Sequence, residues 1–181
     1  MPHKHVSRVA EGIQSISDVL ELNPNTLTLC LHNNLLRNLG SVSQYTRLVD
    51  LNVSLNRLVS INGLQALQNL TSLNLSANLL EDCNSVAGLS RLRALQLQFN
   101  RIRDLSALCK LQSVDLSLEY LDLRGNQFNS VLEARAISRL SSIPNLRLGP
   151  AEVLSKCHSG SPEHISSNVL SAELASPAPL M

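Results

Sequence analysis

Leucine-rich segments recur along the chain at a nearly constant spacing. Each has the form Leu-x-Leu-x-x-Asn-x-Leu, with occasional aliphatic or aromatic replacements such as Val53, Ile102 and Phe128. The first four segments are 22 residues apart and the fifth follows after 26 residues. Self-similarity at a fixed period indicates stacked structural units, because one such unit cannot bury its apolar face alone. The repeated asparagines are Asn34, Asn56, Asn78, Asn100 and Asn126.

The two halves of each unit predict different local structures. The Leu-x-Leu alternation has period two, which predicts a short strand with both leucines inward and the intervening residue outward. Strands of neighbouring units then lie about 4.8 Å apart in a parallel sheet. In the second half, apolar residues such as Leu58, Ile61, Leu64 and Leu67 recur every three positions, which favours short 3₁₀ or helical turns. The prediction is an α/β fold, a leucine-rich repeat solenoid with a parallel concave sheet and short 3₁₀ or α segments on the convex side.

The repeated asparagines predict a structural ladder rather than a catalytic array. Each follows the point at which the chain leaves a strand and must turn. A carboxamide both donates and accepts hydrogen bonds, so it can satisfy backbone groups that the turn would otherwise leave unpaired in the interior.

The pattern divides the chain into three parts. We expect residues 1–20 to form an N-terminal half-repeat cap, because Ile13, Ile16, Val19 and Leu20 have the convex-side spacing without a preceding strand frame. Residues 21–148 form the solenoid, with five full repeats plus a partial one. Residues 149–181 are rich in serine, proline and small residues, which predicts a disordered tail.

Two features interrupt the regular period near the end of the solenoid. Four extra residues precede the fifth frame and are expected to bulge from the convex side. Residues 131–143 contain Ala, Leu and Arg at helical spacing, which predicts a helix of two or three turns. A last partial strand is expected at residues 145–148.

Composition narrows the classes of partner. The net charge is +1, which argues against a dedicated nucleic-acid or anionic-membrane surface. No apolar run reaches the length of about 18 residues that spans a bilayer, and no secretory signal begins the sequence. The four cysteines have no Cys-x-x-Cys spacing and are expected to be reduced thiols. We therefore expect a cytoplasmic protein with no membrane partner.

No catalytic, cofactor-binding or metal-binding set is predicted. The five histidines are dispersed, and His3 and His5 have no acidic or cysteine ligand beside them. The sequence contains no glycine-rich phosphate loop and no nucleophile framed by base residues. The expectation is a protein that is not an enzyme and that uses no cofactor.

The outward strand positions are the predicted protein-binding face. Most of their side chains are small and uncharged, so this concave face is expected to be flat, polar and nearly neutral. Such a surface suits a helix or coiled coil laid along it; the alternative is a solvated sheet without a ligand. The predicted binding residues are Asp50, Asn52, Ser54, Ser72, Asn74, Ser76, Gln96, Gln98, Tyr120, Asp122 and Arg124.

A second candidate surface is an apolar stripe in the position before each asparagine. Leu55, Ala77 and Phe99 occupy it, and adjacent apolar side chains there could form a binding hot spot. The alternative is that these side chains fold over the edge of the solenoid. Arg57 and Arg101 follow the asparagines and either rim the stripe or are solvated.

The repeats resemble two families. Their 22-residue spacing is similar to the intracellular class found in the protein phosphatase 1 regulatory subunit with leucine-rich repeats. A closer resemblance, over roughly residues 11–148, is to the leucine-rich repeat and coiled-coil centrosomal proteins. It is carried by EGIQSISDV before the first strand, LCLHNNLLRNL, NLTSLNLSANLL and the longer fifth unit ending LEYLDLRGNQF.

The resemblance implies a structural protein of the centrosome, centriole or cytoskeleton whose repeats dock other proteins. This sequence departs from the centrosomal pattern because no heptad segment follows the repeats. It is therefore expected to be a fragment or short form of such a protein, or a different repeat protein. The phosphatase class implies an alternative role, as a regulatory subunit of a protein phosphatase.

Overall fold

The computed structural model describes residues 4–104, 108, 118–128, 140 and 142–147. The expected tail at 149–181 lies outside these residues, as do most of the expected insertion before the fifth frame and most of the expected helix at 131–143. The division into three domains stays a prediction.

Within the described residues, seven three-residue strands form one parallel sheet in chain order, β1 to β7. The leucine of each frame lies at the centre of its strand and pairs in register with the next, as Leu29 with Leu51 and Leu51 with Leu73. This confirms the predicted α/β solenoid and the predicted register. The strands are β1 His5–Ser7, β2 Thr28–Cys30, β3 Asp50–Asn52, β4 Ser72–Asn74, β5 Ala94–Gln96, β6 Tyr120–Asp122 and β7 Asn145–Arg147.

Short 3₁₀ turns follow strands β1 to β4 on the side opposite the sheet. Each exposes polar residues and buries one aliphatic side chain: Ile16, Val42, Leu64 and Val86. A 3₁₀ turn repeats every three residues, so the period-three spacing in the sequence places the inward residues on one face. The turns span Ile16–Asp18, Val42–Gln44, Leu64–Ala66 and Asn84–Gly88.

The core consists of aliphatic rows that run the length of the solenoid. Leu51, Leu73 and Leu95 are almost fully buried on the strands, and Val53 and Leu75 form a second row directly behind them. Because each row continues from unit to unit, a side chain packs against its equivalents on both sides. Burial of apolar area at about 25 cal/mol per Å² therefore stabilises the stack and not the single unit.

The N-terminal segment differs from the expected half-repeat because it contributes a strand. His5–Ser7 pairs with Thr28–Cys30, and Val6 occupies the buried position that leucine holds in later units. Leu20 was expected to face inward but is 91% exposed. The turn before it places Val19 in the buried position, so the next residue points to solvent.

Each repeated asparagine joins its own unit to the preceding one. The Asn78 Oδ1 accepts the N–H of Leu58 at 2.9 Å. Its Nδ2 donates to the carbonyls of Val53 and Leu75, both at 3.0 Å. Buried carbonyl and N–H groups on both sides of the unit boundary are thereby satisfied by one side chain. Equivalent bonds are made by Asn34, Asn56, Asn100 and Asn126.

Replacing one ladder asparagine tests this role. We expect Asn78→Ala to lower the free energy of unfolding by about 3 kcal/mol or more, because several buried backbone groups lose their partner. Asn62→Ala, on the exposed convex side, should change it by less than about 0.5 kcal/mol. Urea unfolding measures both values, and equal losses for the two variants would contradict the ladder.

The residue before each asparagine has left-handed backbone geometry. The φ angles are 52° at Leu55, 52° at Ala77, 59° at Phe99 and 66° at Gly125. Here the strand ends and the chain reverses while the next side chain turns back into the interior. A residue with a Cβ pays about 1–2 kcal/mol in this conformation. We call Asn33, Leu55, Ala77, Phe99 and Gly125 the left-handed column.

Two alanine-to-glycine substitutions distinguish this column from the strands. Ala77→Gly should leave stability unchanged or raise it by up to about 1 kcal/mol, because relief of the left-handed strain offsets the greater entropy of the unfolded chain. Ala94→Gly, within β5, should lower stability by about 0.5–1 kcal/mol. Urea midpoints that fall equally for both variants would contradict the left-handed assignment.

Candidate functional site

The concave face is built from three outward columns of side chains. Two columns come from the first and third residues of each strand, and the third comes from the residue two positions after the strand. The middle of the face carries small or amide side chains: Ser72, Asn74, Ser76, Ala94 and Gln96. Larger groups lie only towards its two ends.

Not every predicted binding residue on this face reaches solvent. Ser54 and Ser76 are buried, and the Asp122 side chain is fully buried. The alternation of inward and outward positions along the strands, taken alone, predicts an open surface at all three. Their side chains are instead held against the sheet by neighbouring polar groups, so these positions support the face rather than project from it.

The central polar side chains bond to one another in a repeated motif. The Asn52 Oδ1 accepts the backbone N–H of Ser54 at 3.1 Å and its hydroxyl at 2.7 Å. Asn74 makes the same two bonds to Ser76, at 3.0 and 2.7 Å. These bonds fix the rotamers of the polar floor, which lowers the entropy that a ligand would have to remove on binding.

The N-terminal end of the face carries two histidines. His32 Nδ1 lies 2.7 Å from the hydroxyl of Ser54, and His5 Nδ1 lies 2.7 Å from the hydroxyl of Thr28. Each histidine therefore bridges two neighbouring strands or their exits. The polar network of the middle of the face extends through Ser54 to this end.

The C-terminal end of the face carries an ion pair between the buried Asp122 and the partly exposed Arg124. Asp122 accepts from Arg124 Nε at 3.0 Å and from its terminal nitrogen at 2.7 Å. This hydrogen bond raises the pKa of the Arg124 guanidinium. Burial, followed by the nearby Asp122 carboxylate, raises the pKa of the Tyr120 phenol. The Arg147 guanidinium lies 5.6 Å from the centre of the Tyr120 ring, a cation–π contact at this end of the face.

The unit between these two regions breaks the bonding motif. It carries Gln96 and Gln98 where the units of β3, β4 and β6 have a shorter Asn or Asp and a serine or arginine. Among the described residues, Gln98 Oε1 is a buried side-chain oxygen without a hydrogen-bond partner. Leaving such a group unpaired costs about 1–3 kcal/mol. A donor from a bound molecule could satisfy it.

The apolar stripe lies along the left-handed column, at the edge of the concave face. Leu55 is 49% exposed and Phe99 is 61% exposed. The Phe99 ring also leans over the next unit, because a Cβ on Gly125 would lie only 2.5 Å from its Cδ1 atom. The ring thus folds against the edge, yet most of its surface remains open, and binding at this stripe stays a prediction.

Other kinds of site receive no support from the described part of the chain. In residues 4–104 and the shorter described segments, no three His, Cys, Asp or Glu side chains are grouped to hold a metal ion. Over the same residues, no helix has both the length and the apolar character needed to cross a membrane. Cys30 and Cys83 are free thiols, the first half-buried on the concave face and the second in the core.

Cys83 occupies the buried position that Leu39 and Ile61 hold in the two preceding units. Burial, assisted by the carboxylates of Asp82 and Asp104, raises the pKa of its thiol to about 12. The protonated thiol is therefore the form that the folded core accepts, and this side chain is suited to packing rather than to nucleophilic chemistry.

The raised pKa of Cys83 predicts a loss of stability in base. Because the folded pKa lies above the unfolded value of 9.0, the thiol's contribution is fully present below pH 9 and is lost as the pH rises towards 12. Urea unfolding of the wild type should weaken over this range by up to about 1.4 kcal/mol per pH unit more than that of Cys83→Ala. Parallel pH profiles for the two proteins would contradict the burial of the thiol.

Several solved structures share the architecture of this solenoid. The chain matches an internalin of Listeria monocytogenes with a TM-score of 0.61 and 22% identity, over 81% of this chain and 49% of the other. It matches a leucine-rich repeat protein of Leptospira interrogans with a TM-score of 0.55 and 20% identity, over 80% and 44%. The fold is a leucine-rich repeat solenoid. The sequence matches no protein-family model and no curated protein.

A further leucine-rich repeat structure is TLR13 in complex with the single-stranded RNA ssRNA13. The TM-score is 0.64 and the identity is 27%, over 80% of this chain and 21% of TLR13. This solenoid therefore spans half or less of the length of each of these three structures. These likenesses establish the leucine-rich repeat architecture. The partner is inferred from the surfaces of this chain.

Proposed function

We propose that this leucine-rich repeat solenoid is a non-enzymatic protein–protein interaction module that docks a partner on its concave face. The observation that carries the proposal is the floor of small polar side chains whose positions are fixed by their own hydrogen bonds, as in the pairs Asn52–Ser54 and Asn74–Ser76. A pre-organised surface loses little conformational entropy on binding.

The shape of the floor favours an elongated partner. Its side chains are short over β3 to β5, whereas Tyr120, Arg124 and Arg147 form a taller end. A helix or coiled coil laid across the strands would contact the floor along its length. The unpartnered Gln98 Oε1 would accept a hydrogen bond from a side chain of that partner.

The finer role that we propose rests on the resemblance of the repeats. The partner would then belong to centrosomal or cytoskeletal assemblies in the cytoplasm. The alternative is a protein phosphatase catalytic subunit, which the 22-residue repeat class suggests. Co-purification of phosphatase activity with the chain would favour this alternative.

RNA is the competing ligand, because the TLR13 structure contains a single-stranded RNA. The net charge of +1 and the small neutral floor of this chain favour protein over RNA. Protein binding is therefore our proposal, and RNA binding is an outcome that the test must be able to detect.

The test is affinity capture from dividing cells with the full chain as bait. The concave-face variant carries Ser72→Lys and Gln96→Lys, which raise two long charged side chains from the floor of β4 and β5. The control variant carries Ser43→Lys and Asn62→Lys on the exposed convex side, so both have the same added charge. Asp122 is left unchanged because its buried carboxylate holds Arg124.

We expect the wild type and the control to retain the same protein partners and the concave-face variant to lose them by tenfold or more. Mass spectrometry identifies the partners, and fluorescence anisotropy with labelled single-stranded RNA measures RNA binding directly. Equal capture by all three proteins would contradict concave docking. RNA binding would replace the proposal if the chain bound RNA in a salt-sensitive way, if the concave-face variant changed that binding, and if no protein were captured.

A further inference from the structure

A second surface includes part of the left-handed column and extends past it, where the chain continues after each asparagine. The units run side by side there: the N–H groups of Arg57 and Arg101 donate to the carbonyls of Leu36 and Leu80 at 2.9 and 2.8 Å. Outward side chains of successive units consequently form columns parallel to the solenoid axis. We call the group formed by Arg37, Leu55, Arg57, Val59, Phe99 and Arg101 the turn-edge surface.

Its apolar members are exposed at a cost to the fold. Leu55, Val59 and Phe99 have 49%, 61% and 61% of their surface in solvent. Leu55 and Phe99 additionally occupy left-handed positions, where glycine carries no Cβ penalty. Gly125 shows that the solenoid accepts glycine at the equivalent position. Strained backbone combined with apolar exposure indicates a surface kept for binding and not for stability.

Its charged members are basic and lack internal partners. Within the part of the chain that the structure describes, the exposed guanidinium groups of Arg37, Arg57 and Arg101 form no ion pair. Arg103 shares the column of Arg37 and donates to Gln127. Among the described residues, Glu81 is the acid of these columns, and Asp82 and Asp104 lie one column farther out. Four arginines and one glutamate in these columns give the surface a positive charge that the chain as a whole, at +1, does not have.

We propose that the turn-edge surface binds an acidic amphipathic helix of a partner protein, laid along the solenoid axis. Leu55 and Phe99 are two units apart, a distance of about 10 Å at about 4.8 Å per unit. A helix rises about 1.5 Å per residue, so about seven of its residues cover this distance. Apolar residues at every seventh position meet Leu55 and Phe99, and acidic residues beside them meet Arg57 and Arg101.

This inference rests on the proposed role as a protein-binding module, but it names a surface separate from the concave floor. The probe is a fluorescent synthetic helix of about 21 residues, with leucine at every seventh position and glutamate flanking each leucine. A scrambled peptide of identical composition and a peptide with lysine in place of glutamate are the controls. Fluorescence anisotropy with the full chain measures binding at low and physiological salt.

Two pairs of substitutions separate the apolar and the charged contributions. We expect Leu55→Gly with Phe99→Gly to weaken binding of the glutamate peptide by tenfold or more while changing the urea midpoint little, because relief of the left-handed strain offsets the lost contact of the Phe99 ring with the next unit. We expect Arg57→Gln with Arg101→Gln to weaken binding and to flatten its dependence on salt. The variant with Ser72→Lys and Gln96→Lys should bind the peptide like the wild type.

Several results would overturn the inference. It fails if the glutamate peptide does not bind, if the scrambled or lysine peptide binds equally well, or if both turn-edge variants bind like the wild type. Concentration-dependent dimerisation that the glycine variant abolishes would assign the surface to a second copy of the chain instead. The proposed function would stand without this surface if only the concave-face variant lost its captured partners and the peptide did not bind.

Discussion

The hydrogen bonds of the asparagine ladder are the interaction on which the rest of the structure depends. Each carboxamide accepts from an N–H of the preceding unit and donates to carbonyls on both sides of the boundary, as Asn56 does with Leu36 and Leu31. The strand exit would otherwise bury these groups without partners. Because the bonds are made between units, they fix where each chain segment turns. They also set the spacing at which the aliphatic rows stack.

This constraint produces two surfaces of different chemistry from one repeat. On the strand side, outward residues pair with one another, so the concave face is polar, rigid and nearly neutral. At the edge of the concave face, the residue before each asparagine is held in left-handed geometry and its side chain is directed outward. Leu55 and Phe99 make that edge apolar, and the arginines that follow make it basic. A single module can therefore offer a polar floor to one ligand and a charged apolar edge to another.

The sequence alone predicted the features that depend on period. Leu29, Leu51 and Leu73 lie in register because the 22-residue spacing allows only one alignment. Strand β1 was missed because Val6 is a lone apolar residue without the second leucine of the frame. The burial of Asp122 could not be predicted from the alternation of inward and outward positions along the strand, because it depends on a local bond to Arg124.

The left-handed column was hidden for a related reason. Leucine and phenylalanine do not signal positive φ as glycine does, so only the backbone revealed that the candidate stripe is strained as well as exposed. The partner-binding roles of the concave residues stay predictions, because they depend on a second molecule. Only the concave side chains that reach solvent can take these roles.

Native-state amide hydrogen exchange tests the central claim most directly. The N–H groups of Leu36, Leu58 and Leu80 donate to ladder carboxamides and not to a strand. If the ladder joins the units into one cooperative stack, these amides exchange only on global unfolding, with the same free energy as the core strand amides. Exchange at these three positions through local opening, while the strands stay protected, would contradict the account.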